Sequence, residues 1–358
     1  MRALMIVDGE AGRLAMRDVE PPEPAGGEAL VAVAASSVNR GELSLIARRP
    51  AGWRPGQDVA GVVLEPAADG SGPAAGTRVA GLADQGAWSA QVAVPADRLV
   101  ELPPSVTAEQ AVTLPLAGVT ALRTLRLGGP LAGRSVLVTG AAGGLGTLQV
   151  QLAVAAGAHV TAVSSRPEAA AALAELGVPE VVADIADATG PYDVIAESVG
   201  GRSLAAAIRA VAPGGTIVVL GNSSGEPTPV SLYDFIGHED ARLQTYFSYA
   251  DHEGVAGDLA TLVGLVADGG LVPRIGLAEP WERFPSALAA VRDRTVTGKV
   301  VLRIAGSRRF VTARPPRPCP PRRRRRPGGR RRCAPAGTGA AAARVLRRRA
   351  GRRRPPRR

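Results

Sequence analysis

Residues 134–166, RSVLVTGAAGGLGTLQVQLAVAAGAHVTAVSSR, constrain the fold of this chain more than any other stretch. A short apolar run, Val136 to Val138, leads into Gly140, Gly143, Gly144 and Gly146. Leu145, Leu148 and Leu152 then recur at helical spacing, and a second apolar run, Val160 to Val163, ends in Ser164, Ser165 and Arg166. Strand, glycine turn, helix and strand within about thirty residues is the unit that binds a dinucleotide. The glycines let the backbone turn tightly and approach a pyrophosphate with no Cβ in the way, and the helix N-terminus offers unpaired N–H groups to the anion. Ser135 to Ser165 carries no charged residue, which also fits a membrane span, but five glycines and the polar Thr139, Gln149, Gln151 and His159 break it up. A parallel strand buried on both faces gives the same apolar look.

The end of the second strand selects the dinucleotide. A 2′-hydroxyl is usually held there by Asp or Glu. Here Ser164, Ser165 and Arg166 stand in that place, and hydroxyls with a guanidinium suit a 2′-phosphate. The expected cofactor is therefore NADPH rather than NADH.

Charge divides the chain in two. The net charge of +11 arises from 21 arginines after Gly306, where there is no acid, which leaves 22 basic against 32 acidic residues before it. Residues 307–358 are Arg/Pro-rich and poor in apolar side chains, so a disordered tail is expected. The tail has one aromatic, Phe310, so specific nucleic-acid binding is not expected, although nonspecific attraction to phosphates is. Both cysteines, Cys319 and Cys333, lie in that tail, so the body offers no thiolate for a metal. The first residues, MRALMIVDGE, lack a long apolar core, and a cytoplasmic protein without membrane partners is expected.

Residues 1–105 read as short strands separated by Gly, Pro and Asp: MRALMIV, ALVAVAAS, DVAGVVLEP, TRVAGL and WSAQVAVP. Residues 107–128 read as helix, capped by Thr107 and interrupted at Pro115. Strands then alternate with helices at 135–139, 159–164, 180–184, 192–198 and 215–221, followed by a strand at 242–249, a helix at 255–268 and a closing strand at 299–304. Alternation at this spacing means a doubly wound parallel sheet with helices on both faces. The fold class expected is α/β: a β-rich domain begun by residues 1–110, a dinucleotide-binding domain over 111–249, a return to the first domain over 250–306, and the tail.

In order along the chain, SSVNRGEL, PGQDVAGVV, LPLAGVTALRTL, TGAAGGLG, APGGTIVVLGNSSG and TGKVVLRI resemble motifs of the medium-chain dehydrogenase/reductase superfamily, in its zinc-free quinone oxidoreductase and enoyl reductase branch. The resemblance implies a GroES-like catalytic domain beside a Rossmann domain. It puts Thr120 by the cofactor, the turn of Gly140, Ala142, Gly143, Gly144 and Leu145 at the phosphates, and Gly221, Asn222 and Ser223 near the nicotinamide. Asn39 matches the N of the family's N-x-x-D segment, with Glu42 in place of its Asp. Lys299, the only lysine of the chain, is expected to reach cofactor phosphate or carboxamide. A homodimer is also expected.

Zinc-dependent relatives carry Cys ahead of the N-x-x-D segment and a His-Glu pair where Gln57 and Asp58 stand here, so no metal site is expected. Hydride transfer to a quinone or an α,β-unsaturated carbonyl needs none. The oxyanion that develops wants a hydrogen-bond donor, and Asn39 is the first candidate to contact substrate or nicotinamide. Tyr246 and Tyr249 are candidate proton donors, against the simpler possibility that solvent protonates the product. A zinc-free alcohol or aldehyde dehydrogenase, and an NADPH-binding sensor with little turnover, stay open as alternatives. The small-molecule substrate is not encoded in any motif.

Overall fold

A computed structural model describes residues 1–9 and 13–304; the expected tail lies outside the described residues. Two sheets organise the chain. The first is built from β3 (Glu28–Val38), β4 (Asp58–Glu65), β5 (Arg78–Leu82), β6 (Gln91–Pro95) and β7 (Leu99–Glu101), preceded by the hairpin of β1 (Arg2–Ile6) and β2 (Leu14–Asp18). The second holds β8 (Ser135–Thr139), β9 (His159–Val163), β10 (Glu180–Val182), β11 (Tyr192–Glu197), β12 (Val211–Val219) and β13 (Arg242–Thr245). Finally β14 (Ile275–Pro280) and β15 (Lys299–Arg303) return to the first sheet, where β15 pairs antiparallel with β3.

The second sheet runs β10-β9-β8-β11-β12-β13, with every pair parallel. Chain order reverses between β8 and β11, and the crevice at the carboxyl ends of these two strands is where such sheets bind ligands. Helices α4 (Gly146–Ala155), α5 (Ala169–Glu175) and α6 (Gly201–Ala210) make the crossovers. Residues 146 to 153 of α4 are buried on all sides, which explains its uncharged sequence, and its buried Gln149 and Gln151 are hydrogen-bonded to Thr124 Oγ1 and to Thr147 O.

Before β8, Thr107 caps α2 (Ala108–Ala111) by accepting the Gln110 N–H at 3.2 Å. Pro115 lies in a wide π-type turn, Leu114–Gly118, and α3 (Val119–Leu127) follows. Helix α7 (Val255–Ala267) packs on α3 and on that turn, so Leu259 and Leu262 share one apolar core with Leu122, Leu125, Val136 and Leu148. Two elements not anticipated from sequence, α1 (Arg40–Arg48) and α8 (Phe284–Arg292), pack against each other beside the first sheet. Among the described residues no helix is long and apolar enough to cross a membrane.

Candidate active site

The glycine turn leaves β8 at Gly140, whose φ of 60° lies in the left-handed region that favours glycine. Gly143 N–H closes the turn onto Gly140 O at 2.9 Å. A Cβ at Gly146 would stand 2.4 Å from that same oxygen, so the start of α4 packs here only without a side chain. Gly143 itself is exposed, with no positive φ, and an added Cβ would meet only Gly140 O, at 3.2 Å. Its bareness serves the outer surface of the turn rather than its backbone geometry. The segment leading into β15 lies directly on this turn. Gly298 N–H donates to Ala142 O at 2.9 Å, and a Cβ on Gly144 would stand 2.5 Å from Cδ of Lys299.

At the end of β9, Ser164 is buried and its hydroxyl is engaged in the local turn, accepting the Arg166 N–H at 3.3 Å. Ser165 is exposed. Arg166 reaches over the phosphate turn, donating to Ala142 O at 3.3 Å and to Thr297 Oγ1 at 3.2 Å. The residues present fit a 2′-phosphorylated dinucleotide. A bare glycine surface, the positive dipole end of α4 and a half-buried guanidinium lie at the carboxyl ends of β8 and β9.

Four residues from three separate stretches meet beneath the cleft. Asn39 precedes α1, and its Nδ2 donates to Asp58 Oδ2 at 2.7 Å while its Oδ1 accepts from Lys299 Nζ at 2.6 Å. Lys299 also lies 3.3 Å from Asp58 Oδ2. Asp58, fully buried, accepts in addition from the Ser37 hydroxyl and, through Oδ1, from the Leu116 N–H at 2.7 Å. Glu42 holds the Asn39 backbone N–H at 2.7 Å through Oε2, and its fully buried carboxyl also lies against the Gln57 backbone. Burial above all, with the Asp58 charge adding to it, pushes the Glu42 carboxyl up to about 8 against the pull of the Asn39 N–H.

On the opposite wall, Thr120 lies on α3, and the hydroxyl of Tyr246 is within hydrogen-bonding reach of Thr120 and Arg123. Burial raises the Tyr246 phenol above its ordinary value, with the neighbouring Arg123 charge opposing. Tyr249 is instead 71% exposed and packs its ring on Phe247. Gly221, Asn222 and Ser223 follow β12; Ser223 N–H donates to Ser198 O at 3.2 Å, and Ser223 O accepts from Arg294 at 2.7 Å. This wall rests on Glu197, which the sequence reading missed. Fully buried at the end of β11, Glu197 accepts from Val199 N, Gly200 N, Ser203 Oγ and Thr139 Oγ1 at 2.9–3.2 Å. An acid ending an apolar strand just before a Gly-Gly helix start was the available signal.

Among the described residues no group of three or more His, Cys, Asp or Glu is placed to hold a metal ion. His238 Nδ1 sits 2.6 Å from Val211 O, and Glu239 accepts the Gly237 N–H at 3.2 Å.

Residues 25–104 match the alcohol dehydrogenase GroES-like domain family, and residues 144–259 match the zinc-binding dehydrogenase family. Over 284 residues the chain is 29% identical to the mitochondrial NAD(P)H oxidoreductase RTN4IP1 of Bos taurus, covering 70% of each chain. A quinone oxidoreductase of Pseudomonas syringae superposes with a TM-score of 0.76 at 26% identity, over 84% of this chain and 99% of that one. The NADPH complex of Escherichia coli quinone oxidoreductase shares the fold, with a TM-score of 0.76 at 21% identity over 85% of this chain and all (100%) of that one. With the glycine turn, the doubly wound sheet and the GroES-like sheet in their expected order, the chain is an oxidoreductase of the medium-chain dehydrogenase/reductase superfamily, in its quinone oxidoreductase-like branch.

Proposed function

We propose that the chain transfers hydride from NADPH to a quinone or an α,β-unsaturated carbonyl without a metal ion. The observation that carries this reading is Lys299, whose stem crosses Gly144 of the glycine turn and whose ammonium reaches Asn39, with Arg166 resting on Ala142 of the same turn. Bound NADPH would supply the hydride. The turn from Gly140 to Leu145 and the start of α4 hold the pyrophosphate, while Arg166 with Ser165 and Ser164 take the 2′-phosphate. Thr120, Gly221, Asn222 and Ser223 border the nicotinamide. Asn39 donates to the carbonyl oxygen on which negative charge develops, and the protonated phenol of Tyr246 delivers the proton to the reduced product. Asp58 is committed to four donors in a lysine-bearing cluster, which supports chemistry without metal at the place where zinc-dependent relatives carry ligands. Following NADPH absorbance against a panel of quinones, enones and aldehydes tests the proposal. Oxidation with the first two classes is expected, and oxidation only with aldehydes, or with none, overturns it.

The same reading includes a cytoplasmic homodimer. Among the described residues, strand β13 is an unpaired edge of its sheet with all four residues exposed, and Leu232, Tyr233 and Ile236, shortly before it in the chain, are 83%, 78% and 73% exposed. An unpaired strand edge next to an apolar patch is a ready surface for a second copy.

A further inference from the structure

We propose that Lys299 and Asp58 lock the Asn39 carboxamide in one orientation, leaving it a pure hydrogen-bond donor toward the reacting carbonyl oxygen. This rests on the reading of Asn39 given above and names what makes it work. A carboxamide has one acceptor oxygen and two N–H donors, and it can be turned over by half a rotation. Here the oxygen faces the Lys299 ammonium at 2.6 Å and the nitrogen faces the Asp58 carboxylate at 2.7 Å. Turning the amide over would point N–H groups at an ammonium and oxygen at a carboxylate. Two charge-assisted hydrogen bonds would become two repulsions, in a cluster where Asn39, Asp58 and Lys299 are 8%, 0% and 4% exposed. With its oxygen engaged by Lys299 and one N–H by Asp58, Asn39 keeps one N–H with no partner among the described residues.

The positions of the two charges are themselves fixed. Lys299 begins β15 and runs its stem across Gly144, where a Cβ would collide with it. Asp58 is pinned by Ser37 and by the Leu116 N–H. Glu42 anchors the Asn39 backbone from the other side. Lys299 and Asp58 are thus positioning residues that act through Asn39.

The chain has two asparagines, Asn39 and Asn222, and one lysine, so both amide pairs are observable after selective asparagine ¹⁵N labelling. Lys299→Met should shift or broaden the Asn39 side-chain signals as the amide begins to turn over, leaving those of Asn222 in place. With a quinone as substrate, kcat should fall by about tenfold or more, while the Kd for NADPH stays within about threefold. Lys299→Arg, which restores the charge, should recover more kcat than Lys299→Gln, a neutral variant whose own amide still fills the site. Unchanged Asn39 signals in both Met and Gln variants overturn the inference, and so does a loss that appears wholly in NADPH affinity, because Lys299 would then act on the cofactor. If the wild type oxidises NADPH with no electrophile, the proposed reaction fails, and the amide signals alone decide the orientation lock.

Discussion

Arg166 follows β9 of the second sheet and Thr297 leads into β15 of the first, yet the Arg166 guanidinium donates to Thr297 Oγ1 at 3.2 Å while also resting on Ala142 O of the glycine turn. The cation proposed to take a 2′-phosphate therefore sits where the segment leading into β15 meets the second sheet. Its present partners are neutral oxygens, which a dianionic phosphate would outcompete.

Arg166→Ala should weaken NADPH binding by about 1.5–3 kcal/mol, the worth of hydrogen bonds to a charged group, and barely alter NADH binding. Fluorescence titration of both cofactors measures the two losses. Equal weakening of both would mean that Arg166 holds the domains together rather than reading the phosphate.

Two glycines of the turn should respond differently to the same change. Gly143→Val places its side chain on an exposed surface and should leave a folded protein that no longer binds NADPH. Gly146→Val would drive a Cβ to 2.4 Å from Gly140 O and 2.6 Å from Ala141 Cα, both backbone atoms, so the fold itself should suffer. Circular dichroism melts beside cofactor titration separate the two outcomes. A Gly146→Val protein as stable as wild type would show that the turn has room to relax.

Why this much was readable from sequence has a physical reason. Strands of a parallel sheet are buried on both faces, so β8, β9 and β11 appear as largely apolar runs between helices. Strand β14 is half-buried and irregular, and α8 is a short Ala-rich helix, so neither leaves a clear period. The helix start at Asn39 was written in the letters as Asn39-x-x-Glu42, a capping-box spacing that passed as a family motif only. The cluster around Asp58 was not readable, because its lysine lies 241 residues away in sequence and only the closure of β15 onto β3 brings the two together.

Glu42 gives the stability a pH signature. Its folded-state value near 8 stands above the ordinary 4.5, so the folded protein holds a proton that the unfolded chain releases. The stabilisation from this group is complete below about 4.5 and is lost as pH rises toward about 8. Glu42→Gln keeps an oxygen for the Asn39 N–H and removes the titration. The melting temperature of the variant relative to wild type should therefore climb from pH 5 to pH 8 and level off above. A difference that stays flat or falls over that range would sink the assignment.

Glu197→Gln tests the wall that the sequence did not announce. The carboxylate accepts from four donors, and an amide nitrogen would face at least one N–H or O–H donor in a fully buried site. Leaving such a group unsatisfied costs roughly 1–3 kcal/mol. Because Ser198 and Gly200 carry the backbone and side-chain contacts of Asn222 and Ser223, KM for NADPH should rise as well. Urea unfolding and steady-state kinetics read the two effects, and a variant matching wild type in both would deny Glu197 this role.

The edge of β13 should pair two copies of the chain. Tyr233 and Ile236 lie on the short helical turn Leu232–Phe235 and just after it, in the connection into a strand whose outer side has no neighbour among the described residues. Stable dimers bury on the order of 1,200–2,000 Å² in total, and a continuous strand edge with a flanking apolar patch suits that scale. Because Tyr233 and Ile236 are 78% and 73% exposed in the single chain, replacing both with Glu should change monomer stability by no more than about 0.5 kcal/mol. Across a dimer interface the same charges would lie near their symmetry mates without water or partners, and association should fail. Light scattering after size exclusion should give twice the chain mass for wild type and one chain mass for the double variant, with unchanged secondary structure. A wild-type monomer, or a double variant that still dimerises, would place the contact elsewhere or remove it altogether.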